Sequence, residues 1–118
     1  MAHYAKVLDG KVLKVIKAEK EFFDSFVDSS PGEWIQTSYN TFGNKHELGG
    51  TPLRKNYAAI GGCYDKEGDF FHDEQPYSSW ILNRDTGLWD PPVEYPTDGQ
   101  NYVWNETNKT WDKINLNE

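Results

Sequence analysis

The side chains able to do chemistry are few and scattered. His3, His46 and His72, taken with the single Cys63, show no spacing suited to a tetrahedral metal site. His72-Asp73-Glu74 sets an imidazole beside carboxylates, the ingredients of general acid–base chemistry, but an ordinary surface loop accounts for it equally well. Asp65-Lys66-Glu67-Gly68-Asp69 alternates oxygen ligands and carries a glycine, as calcium loops do. It lacks the spaced acids and distal glutamate of an EF-hand and reads as a hairpin turn. No phosphate-cradling glycine loop, nucleophile elbow or paired-cysteine motif occurs. No catalytic residue, metal or cofactor is expected, and no enzyme.

The aromatic residues are the stronger signal. They make up 15% of the chain, with 5 Trp, 7 Tyr and 6 Phe. Tyr77, Trp80, Trp89, Tyr95, Tyr102, Trp104 and Trp111 crowd into the C-terminal part, among Asp, Asn and Gln and few aliphatics. Such rings have two uses. They supply a core or a subunit contact, or they form a platform on which a ring covers the apolar face of a sugar while polar neighbours bond its hydroxyls.

The elements that must position these rings follow from local pattern. Two alternating runs flank Asp9-Gly10, a pair that tolerates the positive φ of a type I′ turn, so an N-terminal β-hairpin is expected. With Leu8 opposite Lys11, Val7 pairs with Val12, yet apolar residues fall on both faces. Over residues 18–27, Phe22, Phe23, Phe26 and Val27 lie on one side of a helix, which Ser29-Ser30-Pro31-Gly32 ends. Residues 34–39 are β-formers, residues 42–52 read as a mobile Gly-rich loop, and residues 57–64 as a further strand in which Gly61-Gly62 marks a bulge or a close backbone approach.

Three later segments share one plan. Residues 64–70, 82–89 and 104–111 each run from an apolar residue through Asp or Asn and a polar turn to an aromatic ring, so each is expected to be a tight hairpin. Their offsets are too irregular for a solenoid. Gln75-Pro76-Tyr77 and Pro91-Pro92-Val93-Glu94-Tyr95-Pro96 are extended linkers between them, because proline cannot join a central ladder.

At 118 residues the chain has room for one small domain, or one domain and an appendage. The fold class expected is α+β, β-rich: an N-terminal β-hairpin, one short helix on a small antiparallel sheet, and C-terminal aromatic β-hairpins. Residues 1–74 form the α+β domain. Residues 75–118 form a Pro/Trp-rich arm that either projects or packs as part of it. The net charge of -7 opposes the counterion release on which nucleic-acid binders rely, so no nucleic-acid partner is expected. Residues 1–59 carry 8 basic and 7 acidic side chains; residues 60–118 carry 4 and 12, an excess that keeps the surface solvated or attracts a basic partner. No apolar run approaches a membrane span, the lone cysteine cannot form an internal disulfide, and the first residues do not resemble a secretory signal, which points to a soluble protein of a reducing cytoplasm. Without export, the acceptor patterns at Asn105 and Asn108 would stay unglycosylated.

Taken together, Trp34-Ile35-Gln36-Thr37-Ser38-Tyr39-Asn40, Leu53-Arg54-Lys55-Asn56-Tyr57-Ala58-Ala59-Ile60-Gly61, Pro76-Tyr77-Ser78-Ser79-Trp80-Ile81-Leu82-Asn83 and Trp89-Asp90-Pro91-Pro92-Val93-Glu94-Tyr95-Pro96 resemble a family of small proteins of tailed bacteriophages, common among marine phages of cyanobacteria. The resemblance spans nearly the whole chain. It implies a structural or assembly role, in the virion or the host cytoplasm, with phage or host proteins or further copies of the chain as partners. It brings no catalytic residues, and nothing is carried over to residues 42–52. Three functions remain open: a virion-associated subunit working by protein contact, a carbohydrate-binding module using the exposed rings, and an acidic early protein that binds a basic host factor.

Overall fold

The computed structural model describes residues 2–114 and is β-rich, with a single helical turn among them. In chain order the elements are β1 (Ala2–Leu8), β2 (Lys11–Ala18), α1 (Phe22–Ser25), β3 (Glu33–Thr37), β4 (Thr41–Phe42), β5 (Lys45–His46), β6 (Cys63–Asp65), β7 (Phe70–His72), β8 (Ile81–Asn83), β9 (Leu88–Asp90), β10 (Tyr102–Asn105) and β11 (Thr110–Lys113). They fall into two compact units. The first takes the chain up to Glu74 together with Asn83–Leu88; the second takes Gln75–Leu82 and the chain from Trp89 onward.

The first unit is organised by a five-stranded antiparallel sheet in the order β3-β1-β2-β6-β7. Asp9 and Gly10 both take positive φ, 52° and 79°, as a type I′ turn requires, and Leu8 faces Lys11 while Val7 faces Val12. One step further the register slips, so that Lys6 faces Lys14 and Leu13 is the extra residue. The apolar side chains on both faces of this hairpin have a simple cause: both faces are covered. Ala5, Val7, Val12, Ala58 and Phe71 form the core on one side, with Val15, Ile35 and Tyr64 packed against it. On the other side, the Phe23 ring lies 4.5 Å from Tyr4 and 5.7 Å from Trp34, and Phe26 lies 5.9 Å from Trp34.

Lys6 is 2% exposed on that second face. Its ammonium donates to Asp28, to the Ser30 hydroxyl and to the Ser30 carbonyl, so the charge is both paired and hydrogen-bonded. These bonds from Lys6, and then those from Ser30, hold the Asp28 carboxyl far below the usual carboxylate range.

Several local expectations are corrected. The helix expected over residues 18–27 is only the turn Phe22–Ser25: β2 runs on to Ala18, no side chain caps the first turn, and Phe26 is already extended. Val27, expected on the buried side, is therefore exposed. Residues 42–52, expected as a mobile Gly-rich loop, contain part of the β4–β5 hairpin, whose Gly43-Asn44 turn has φ of 59° and 63°, a second type I′ geometry. His46 closes it, its Nδ1 accepting from the N–H groups of Leu48 and Gly50. Residues 57–64 are not one strand. Gly61 and Gly62 instead approach β2 closely, exchanging backbone bonds with Val12, and pairing resumes at Cys63. The three repeated segments are all hairpins: β6–β7, β8–β9 and β10–β11.

A candidate binding surface

The second unit is held together by rings. On the β10–β11 hairpin Trp104 stands directly opposite Trp111, with centroids 5.0 Å apart and the rings tilted at 66°. Trp80 meets both edge-on, at 5.9 and 6.0 Å. Tyr95 sets its edge against Trp111 at 4.9 Å and against Tyr102 at 6.0 Å, and Tyr77 adjoins Trp80 at 5.6 Å. A two-stranded hairpin has too little apolar surface to be stable alone, and segments that precede it in the chain contribute Tyr77, Trp80 and Tyr95 as its missing layer. Edge-to-face contacts of this kind are each worth about 0.5–1.5 kcal/mol beyond simple burial.

Polar groups fix these rings in place. Glu106 is the hub: its carboxylate accepts from the Ser78 and Ser79 hydroxyls, from the Ser79 N–H and from the Trp104 indole N–H. These donors, Ser79 first and then Trp104, bring the Glu106 carboxyl down to about 2. The Trp111 indole donates to the Val93 carbonyl at 2.7 Å, which ties the proline-rich linker to β11. The Tyr95 hydroxyl accepts from the Tyr102 N–H, and the Tyr102 hydroxyl donates to Asp98 at 2.7 Å, which lowers the Asp98 carboxyl and raises the phenol. Among the described residues the Trp80 indole N–H is buried without an acceptor, so packing alone orients that ring.

Five of the seven residues singled out by composition therefore share one cluster with Tyr77 at its end, while Trp89 sits half-buried on β9. They are not equivalent. Trp104 is 7% exposed and is the centre of this small core. Tyr77 and Tyr95 are open, at 38% and 43%, and Trp80, Tyr102 and Trp111 are half-buried. Ile81, Val93 and Val103 add exposed aliphatic surface in the same unit.

The groups weighed for chemistry meet only in part: Cys63 lies opposite His72 across β6–β7, and Lys11 donates to the Cys63 sulfur at 3.5 Å and to Glu74. Asp65 caps its own turn by accepting from the Gly68 N–H and pairs with Arg84, and Asp69 accepts from Tyr64 and Arg54. Burial and the Asp69 bond together push the Tyr64 phenol up to about 12. Glu74 pairs with Lys11, and His3 stacks on Tyr39 at the other end of the sheet. No three His, Cys, Asp or Glu side chains lie together as metal ligands among the described residues. Nor is any helix there long and apolar enough to cross a membrane.

Sequence reasoning missed Glu106 and the Ser78–Ser79 pair that it binds. Glu106 sits in a repeated turn, where an acid is unremarkable, and its partners lie in a linker 27 and 28 residues away. The chain matches no protein-family model, no curated protein and no solved structure.

Proposed function

We propose that this chain is a non-enzymatic subunit that acts through protein–protein contacts made by the aromatic surface of its second unit. The observation that carries this reading is the division of labour within the ring cluster. Trp104 is sealed as its centre, while Tyr77 and Tyr95 of the cluster, and Ile81, Val93 and Val103 elsewhere in the same unit, are exposed. Small units rarely expose so much apolar surface unless a partner covers it. The resemblance to small tailed-phage proteins directs the search for that partner to virion and assembly proteins, or to further copies of the chain.

The polar groups favour protein over sugar as the ligand. A sugar site needs uncommitted hydrogen-bonding groups beside its rings. Here Asp98 is occupied by Tyr102 and Gln100, Asp112 by Asn105 and Thr110, and Glu106 by its four donors. The same engagement weakens the reading as an acidic decoy for a basic factor, because these carboxylates hold turns together.

The test is mass spectrometry of purified phage particles and assembly intermediates, with cross-linking of the chain in place. Cross-links from residues flanking Tyr95 and Val103 to another protein are expected, and Val103→Asp should remove them while the chain stays folded. Absence of the chain from every such particle, together with a monomeric purified protein, would overturn the reading. So would a glycan array on which the chain binds and Tyr95→Ala does not.

A further inference from the structure

The sheet of the first unit has an edge that its own strands leave open. β2 meets β6 only where Lys11 faces Cys63, and its next residue, Val12, turns its N–H and C=O outward to Gly62 and Gly61. Beyond the bulge at Leu13 no strand, turn or side chain among the described residues takes up the outward backbone groups of residues 13–18. Leu13 is 45% exposed, and Lys14 and Lys17 point into solvent from opposite faces. An unpaired edge of this length is a template for a further strand.

Charge decides which strand. Lys14 extends over the Trp34 ring at 5.7 Å, and Lys17 lines an open cavity of about 340 Å³ with His3, Thr37 and Tyr39. A second copy pairing antiparallel here would bring the lysines of both chains onto one small ribbon, and like charges across a strand pair oppose association. The same lysines suit a segment with carboxylates three positions apart, one reaching Lys14 on one face and one reaching Lys17 on the other. Glu19 and Glu21, just past the end of β2, limit the complementary stretch to residues 13–18.

We infer that residues 13–18 of β2 take up an extended acidic segment of another protein by β-strand addition. Main-chain hydrogen bonds to the open edge supply affinity, and the two lysines supply selectivity. This surface is separate from the aromatic one and does not depend on it.

The probe is an acetylated eight-residue peptide of valine and threonine carrying two glutamates three positions apart, added to the full chain. It should bind, slow amide hydrogen exchange within residues 13–18, and weaken as salt is raised. The double variant Lys14→Glu with Lys17→Glu, checked for folding by circular dichroism, should bind it roughly three- to tenfold less tightly. The lysine version of the peptide should prefer that variant over the natural chain. A third peptide, N-methylated along the pairing edge, should fail to bind the natural chain and decides the matter if the variant does not fold. Equal binding of the acidic and basic peptides, binding of the N-methylated one, or no slowing within residues 13–18 would overturn the proposal. Exchange at this edge that is already slow in the free chain would also overturn it, and concentration dependence would then assign the edge to a second copy.

Discussion

The side-chain amide of Asn56 donates to the backbone carbonyl of Gly87 at 3.1 Å, across 31 residues of chain. The same nitrogen reaches the Phe71 carbonyl at 2.9 Å, and the Asn56 carbonyl oxygen accepts from the Gly43 N–H at 2.9 Å. One buried amide thus joins the β4–β5 turn, strand β7 and the tip of the β8–β9 hairpin. Lys55 adds a bond to the Arg84 carbonyl, and Asn44 bonds the Asp85 carbonyl at 3.1 Å.

Because buried polar groups left unpaired each cost about 1–3 kcal/mol, Asn56→Ala should lower stability by roughly 2–4 kcal/mol in urea titration. Gly87→Ala should act on the same junction from the other side. Its φ is +72°, and a Cβ there would come within 2.4 Å of Asn56 Nδ2, so a loss of about 2 kcal/mol or more is expected. A double-mutant cycle should give far less than the sum of the two losses.

The Lys6–Asp28 pair makes an ordered prediction. Lys6→Met replaces the buried ammonium with an apolar chain of similar length, whereas Asp28→Asn leaves that ammonium without its counter-charge. Asp28→Asn should therefore destabilise the chain more than Lys6→Met does in thermal unfolding. The reverse order would show that the salt bridge does not govern this face.

Glu106 makes the second unit sensitive to acid. Its carboxyl is held at about 2, below the ordinary value of 4.5, so the stabilisation it provides is complete above about pH 4.5 and is lost as pH falls toward 2. Tryptophan emission, to which Trp80, Trp89, Trp104 and Trp111 contribute from this unit, should change over that interval. Glu106→Gln should abolish that part of the change and start from a less stable unit at neutral pH.

Within the ring cluster, truncation should separate packing from recognition. Trp104→Ala removes the buried centre and should cost about 3–5 kcal/mol, read as loss of cooperative unfolding. Tyr77→Ala removes an open ring and should leave the unfolding midpoint nearly unchanged while weakening any partner contact.

Much of this architecture follows from local sequence. Asp9-Gly10 specifies its own turn because its residues tolerate positive φ, and the Asn and Asp residues of the three repeated segments bond back to their own turn backbones, as Asn83, Asp65 and Asn105 do. Such interactions reach two to four residues and are visible as adjacent letters. The α+β, β-rich class and the clustering of rings in the C-terminal part are legible for the same reason. Residues 18–27 form only one helical turn because their periodicity reflects rings that meet Tyr4 and Trp34 on a neighbouring sheet, not an intrinsic helical preference strong enough to sustain more.

Tertiary structure alone decided the rest. Nothing near Asn56 in the sequence indicates Gly87, nothing near Glu106 indicates Ser79, and nothing near Lys6 indicates Asp28, because each partner is brought by the fold across at least 22 residues. Which of the clustered rings is sealed and which is open was fixed in the same way. Trp104 and Trp111 are alike in sequence context and both meet Trp80, yet Trp104 is buried while Trp111, which also meets Tyr95, stays at the border with solvent. Burial is a property of what the chain folds back to cover, and the covering residues lie in segments that local pattern cannot place.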